Sequence, residues 1–105
     1  MGKEKLTVYS SGKYIRVFAR DISLCYAMDN KTIIYVVDGN KYLYNKPLGQ
    51  TYRELDNGKF KRIHHCCFIN DDHVLEIIPY KPREYMLAPG LHVRGSKRMD
   101  KNFDK

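Results

Sequence analysis

The segment Phe60–Ile78 reads FKRIHHCCFINDDHVLEII and gathers the side chains best suited to chemistry. His64, His65, Cys66 and Cys67 stand in a row, approached by Lys59, Lys61 and Arg62. Three chemistries compete for such a block: a metal site, an activated thiol, or a strand that presents polar groups to a partner. A structural zinc site needs convergent ligands, with cysteines spaced roughly two to four residues apart and histidines roughly three to five. Read as one strand, Phe60–Asn70 sends consecutive side chains to opposite faces. Then only His64 with Cys66, or His65 with Cys67, can share a side. Completing a site would take Cys25, His73 or His92 from elsewhere, so the expectation is no metal. A nucleophilic thiol needs a base and an orienting group, and no oxyanion loop is evident. Cysteine is more commonly a small core residue, which is the expectation for Cys25 and Cys67. Asp71-Asp72 reads as a turn, and the chain shows no glycine-rich phosphate loop or paired-carboxylate motif. Neither an enzyme, a cofactor nor a small-molecule substrate is expected. The third chemistry remains, with Arg62, His64, Cys66 and Phe68 on one face and Ile63, His65, Cys67 and Ile69 on the other.

The elements that must position this block are mostly strands. Leu6–Ser10 and Tyr14–Phe18 flank the turn signal Ser11-Gly12-Lys13 and form a hairpin. Asp21–Met28 alternates, with Ile22, Leu24, Tyr26 and Met28 on one face and Ser23, Cys25 and Ala27 on the other. Thr32–Val37 is apolar on both faces, which predicts a central strand. Asp38-Gly39-Asn40 turns the chain into Lys41–Tyr44. Pro47 suits the first position of a helix, and Leu48, Thr51, Tyr52 and Leu55 supply one apolar stripe. Asn57-Gly58 stops that helix. After Phe60–Asn70 come strands at His73–Ile78, Glu84–Ala88 and Leu91–Arg94. The expectation is a mainly all-β fold: short antiparallel strands in a single domain over 1–105, with one short helix. The tail, about 96–105, reads as a short helix or frayed coil.

With 105 residues the chain can bury a core without staples. Its formal charge of +7 favours a polyanionic partner, nucleic acid before anionic membrane. No apolar run reaches the roughly 20 residues of a membrane span, and no signal peptide is evident. Three cysteines, an odd number, argue against a disulfide framework. A cytoplasmic protein is expected.

One order of residues resembles a known family. Asp21-Ile22 is followed by Asp38-Gly39 with Tyr42-Leu43, then the Leu48–Leu55 helix. Next come Phe60, Arg62, His64, Phe68, Ile69 and Asn70 in register, and then Val74-Leu75-Glu76-Ile77. This looks like the LytTR DNA-binding domain of bacterial transcription regulators, from roughly Ser10 to Met99. Val93-Arg94 followed by Lys97-Arg98 matches the family's basic C-terminal portion. His65 stands where the family usually has Arg, and Cys66 where it has Ser. The resemblance implies a multi-sheet β domain that reads double-stranded DNA in successive major grooves from loops and strand ends. It also places the chain as the output module of a response regulator in a two-component system. Carried over by motif, the base-contact candidates are Asn30, Lys31, His64, His65 and Arg94. The phosphate-contact candidates are Lys61, Arg62, Lys97, Arg98 and Lys101. A second copy on repeated half-sites is a further expected partner. Two alternatives stay open: a protein-interaction module on the same fold with weak or no DNA binding, and a single-strand binder whose tyrosines stack bases.

Overall fold

A computed structural model of the chain describes residues 2–80, 82–97 and 99–100. Ten strands and one α-helix follow in order, arranged in three antiparallel sheets. β1 (Lys5–Ser10) and β2 (Lys13–Phe18) form the first hairpin, in full register from Lys5↔Phe18 to Ser10↔Lys13. Its turn places Ser11 and Gly12 at positive φ, a conformation glycine adopts without steric cost.

The second sheet has five strands in the order β5-β4-β3-β7-β6. They are β3 (Ile22–Met28), β4 (Lys31–Val36), β5 (Lys41–Tyr44), β6 (Phe60–His64) and β7 (Cys67–Asn70). β3 is therefore the central strand, and the apolar β4 lies one place in from the edge. The third sheet runs β10-β9-β8, from β8 (Val74–Ile78), β9 (Glu84–Leu87) and β10 (Leu91–Arg94).

The five-stranded sheet is covered on both faces. Ile22, Cys25, Ile34, Val36, Phe60 and Phe68 face a core shared with the first hairpin (Leu6, Val8, Val17) and with Leu48 and Leu55 of the helical segment. Leu24, Ile63, Cys67 and Ile69 face a second core closed by Tyr85 and Leu87 of β9. All four residues of β7 are buried, as two-sided coverage requires. Helix α1 (Leu48–Glu54) is about two turns long and follows Pro47 at its N-cap. A helix that short is marginal alone. It is tied to β4 by the buried Thr51 and Thr32 hydroxyls, 3.1 Å apart, and by the Thr32 hydroxyl donating to the Lys46 carbonyl at 2.9 Å.

Two sequence expectations are corrected. Strict alternation along β3 fails because its register shifts between Ile22 and Leu24. Such a bulge sends the residues on either side of it to different faces. Ile22 accordingly joins Cys25 in the first core, while Leu24 goes to the second. The other correction is larger. Phe60–Asn70 is not one strand but two, β6 and β7, joined by a turn at His65-Cys66 and paired His64↔Cys67. No residue of that turn has positive φ, so its geometry needs neither glycine nor asparagine.

Of the tail expected after β10, over about 96–105, residues 98 and 101–105 lie outside the described residues. Ser96 caps the next turn, its hydroxyl accepting from the Met99 amide at 2.9 Å and its carbonyl from the Asp100 amide at 3.0 Å. Asp100 is buried and accepts from the Tyr85 hydroxyl at 2.6 Å.

Candidate nucleic-acid interface

β3 runs from Ile22 toward Met28, and the turn after it carries Asp29 and Asn30. β7 is antiparallel to β3, with Tyr26↔Cys67 as the last rung. The β6–β7 turn therefore emerges at the same end of the sheet as the β3–β4 turn. A backbone bond from the Ala27 amide to the Cys66 carbonyl, 2.7 Å, closes the two strands at that end. β10 arrives there too, since the Ser96 amide donates to the Ile63 carbonyl at 2.7 Å. His64 and Arg94 consequently line one open cleft with Tyr26, Cys67, His92 and Gly95. Asn30, His65 and Arg94, far apart in sequence, thus lie at one end of the molecule, and all are exposed.

The turn itself is held by its own side chains. The Arg62 guanidinium donates to the His65 carbonyl at 2.8 Å and to the His64 carbonyl at 3.3 Å. The Cys66 amide donates to His64 Nδ1 at 3.1 Å, and the two imidazoles stack with centroids 4.6 Å apart. Behind the turn, Phe68 packs edge-on against Phe60 and Tyr52. Asn70 closes the far end of β7. Its amide donates to the Ile22 carbonyl at 2.9 Å, and its oxygen accepts from the Asp72 amide at 3.0 Å. Phe60, Phe68 and Asn70 thus anchor the β6–β7 hairpin, while Arg62 and His64 bond within its turn.

Around it, Arg94 is 66% exposed, with a guanidinium nitrogen 3.7 Å from a Glu84 carboxylate oxygen whose partner oxygen lies 2.6 Å from His92 Nε2. Gly95, next in sequence, is buried: an added Cβ would lie 2.5 Å from the Asp100 carboxylate. Lys31 is exposed at the start of β4, beside Leu43. Lys61 is half-buried on the edge strand β6, and Lys97 is exposed just beyond β10. Arg98 and Lys101 lie outside the described residues. Tyr26 and His92 of the cleft were not anticipated from sequence. Tyr26 was read only as part of an apolar face, yet it is 43% exposed.

Thiol chemistry differs along the row. Burial pushes Cys67 up to about 12, with the neighbouring Cys66 adding to the rise. Burial likewise raises Cys25 well above the ordinary thiol value. Both are core side chains, as expected, and neither is suited to act as a nucleophile.

The comparisons with known proteins fall on this fold. The family model described as the LytTr DNA-binding domain matches residues 12–105. Among solved structures, the LytTr DNA-binding domain of a methyl-accepting/DNA response regulator from Bacillus cereus superposes with a TM-score of 0.83 at 21% identity. The match covers 93% of this chain and 91% of that one. No curated protein matches the chain. No helix among the described residues is long and apolar enough to cross a membrane.

Proposed function

The chain belongs to the LytTR DNA-binding domain family, and from that membership we propose that it reads double-stranded DNA with the end of the molecule where the β3–β4 turn, the β6–β7 turn and β10 meet. The observation that carries the reading is the convergence of Asn30, His65 and Arg94 on that end. In this reading the chain is the output module of a bacterial transcription regulator. Asn30, Lys31, His64, His65 and Arg94 face base edges in the major groove. Lys61 and Lys97, with Arg98 and Lys101, face phosphates, which position the protein without specifying sequence. Arg62 serves differently. Its fork is engaged with the carbonyls of the β6–β7 turn, so it positions the histidines.

Arg94 is the strongest candidate for guanine, because a guanidinium donates two bonds to O6 and N7. Glu84 steadies it without burying it. Selection of bound duplexes from a random pool tests the reading and reports the site. Recovery of no common sequence would overturn sequence-specific binding. On the selected duplex, Arg94→Ala costs about 1–3 kcal/mol of affinity and much less on random DNA. Equal losses on both would reassign Arg94 to phosphate.

A further inference from the structure

The β6–β7 turn undoes the argument that separated its histidines and cysteines. In a continuous strand they alternate; in the turn they gather. One ligand atom from each of His64, His65 and Cys66 lies within 4.8 Å of the other two. Among the described residues no other set of three histidine, cysteine, aspartate or glutamate side chains is grouped in this way. We propose that this turn is a binding site for a borderline-soft transition-metal ion of the zinc class, held by two imidazole nitrogens and the Cys66 thiolate.

The donor chemistry fits such an ion. Imidazole and thiolate together select zinc-class or cuprous ions over hard cations, which prefer oxygen. Tetrahedral zinc sets neighbouring nitrogen and sulfur ligands about 3.3–3.6 Å apart, given bonds of about 2.0–2.3 Å. The observed separations, up to 4.8 Å, must close by about 1 Å, and Arg62 holds the carbonyls of His64 and His65 beside the ligands. His65 is exposed, while His64 and Cys66 are half-buried, so an ion has access. Coordination displaces the Cys66 proton to solvent and leaves the imidazoles neutral. If His64 binds through Nδ1, it gives up the bond from the Cys66 amide. Three protein ligands leave a fourth position open, as in sites that exchange their ion or add an outside donor. Cys67 takes no part, since its side chain belongs to the second core.

The site and the proposed DNA surface use the same two histidines. Resting on the DNA reading above, ion binding and base contact therefore exclude one another, and the ion is a signal that releases DNA.

The test uses the full chain, reduced and metal-free, titrated with Co2+. One equivalent is expected to produce thiolate-to-cobalt charge-transfer absorption, and Zn2+ is expected to abolish it by displacement. Cys66→Ser removes the absorption while the melting curve stays cooperative. His65→Gln weakens binding by at least the roughly 10–100-fold that loss of a mere outer-sphere partner costs. His64→Gln does the same, and His65→Gln guards against a collapsed turn in that variant. Absence of the band at one equivalent, or its persistence in Cys66→Ser, overturns the site. For the linkage, Zn2+ is added to the complex with the selected duplex. Loss of affinity in the native chain but not in Cys66→Ser supports it, and equal affinity with zinc bound overturns it. A chain that binds cobalt but no duplex fails the DNA reading alone. A chain that binds duplex but no cobalt fails the metal site alone.

Discussion

Cys66 and Cys67 are adjacent in sequence and opposite in circumstance. Cys67 is 2% exposed and held up to about 12 by burial, whereas Cys66 sits half-exposed on the turn. Thiolate is the reacting form, so a short iodoacetamide pulse on native protein modifies Cys66 first. Cys25 and Cys67 become reactive only on unfolding, as peptide mass spectrometry would show. Cys67 modified as fast as Cys66 would mean that the second core opens easily. Arg62 makes a similar point about charge. If it served only a phosphate, Arg62→Lys would change little. Because its fork holds two turn carbonyls, lysine removes directional donors that it cannot replace. The expected result is a loss of about 1–1.5 kcal/mol in DNA affinity, with NMR shifts centred on the His65 and Cys66 amides. Unchanged amides would remove the positioning role. The type of each residue was plain in the sequence; its partner was not, because the partner is a carbonyl set by the turn.

At the scale of elements, α1 is fastened at its C-terminal end by Glu54. That carboxylate accepts from the Tyr44 hydroxyl at 2.6 Å and from the Lys46 ammonium at 2.9 Å, with Lys3 at 3.7 Å. Burial alone would raise Glu54. The hydrogen bonds from Tyr44 and Lys46, with the charges of Lys3 and Lys46, overcome it and hold the group at about 2, against an ordinary value of 4.5. A carboxyl depressed on folding contributes stability above its unfolded value and loses it as pH falls through the folded one. Melting temperature should therefore drop between pH 4.5 and 2, and Glu54→Gln should flatten that part of the profile. Near neutrality the same variant costs about 1.5–3 kcal/mol, the worth of hydrogen bonds to a charged group. A parallel profile in the variant would show that other carboxyls govern acid unfolding. Most elements were legible in the sequence, and for identifiable reasons. Lys41–Tyr44 and Leu91–Arg94 are bounded by Gly-containing turns, and the stripe Leu48, Thr51, Tyr52, Leu55 has helical spacing that the core uses. The β6–β7 turn was not legible, because His65-Cys66 contains no residue that signals a turn and its backbone needs none. The bulge at Ser23 was hidden for the same reason. Periodicity shows where strands lie but does not register one inserted residue, and one residue exchanges the faces.

Across the whole molecule, the five-stranded sheet sets two ends apart. The β3–β4 turn with Lys31 lies at the end shared by His65 and Arg94. The Asp38–Asn40 turn that leads to Lys41 lies at the other, since Tyr35↔Lys41 and Thr32↔Tyr44 bound the β4–β5 ladder. Lys41 pairs with Tyr35, four residues along β4 from Lys31, so about 13 Å of strand separates the two lysines. Both are exposed and both count equally in the net charge of +7. If charge alone attracted DNA, either substitution would weaken binding alike. If one end docks, only Lys31 of the two lies at the interface. The logarithm of affinity against the logarithm of salt has a slope of about −0.9 per phosphate contacted. Lys31→Ala should make that slope shallower by about 1 if its ammonium contacts phosphate. If Lys31 instead faces a base, the slope holds but discrimination between the selected duplex and random DNA falls. Lys41→Ala should change neither quantity. Measured side by side by fluorescence anisotropy on the selected duplex, the pair separates a docking end from a diffuse field. An equal effect of both lysines would mean that the convergence of the turns is a property of the fold and not of the interface.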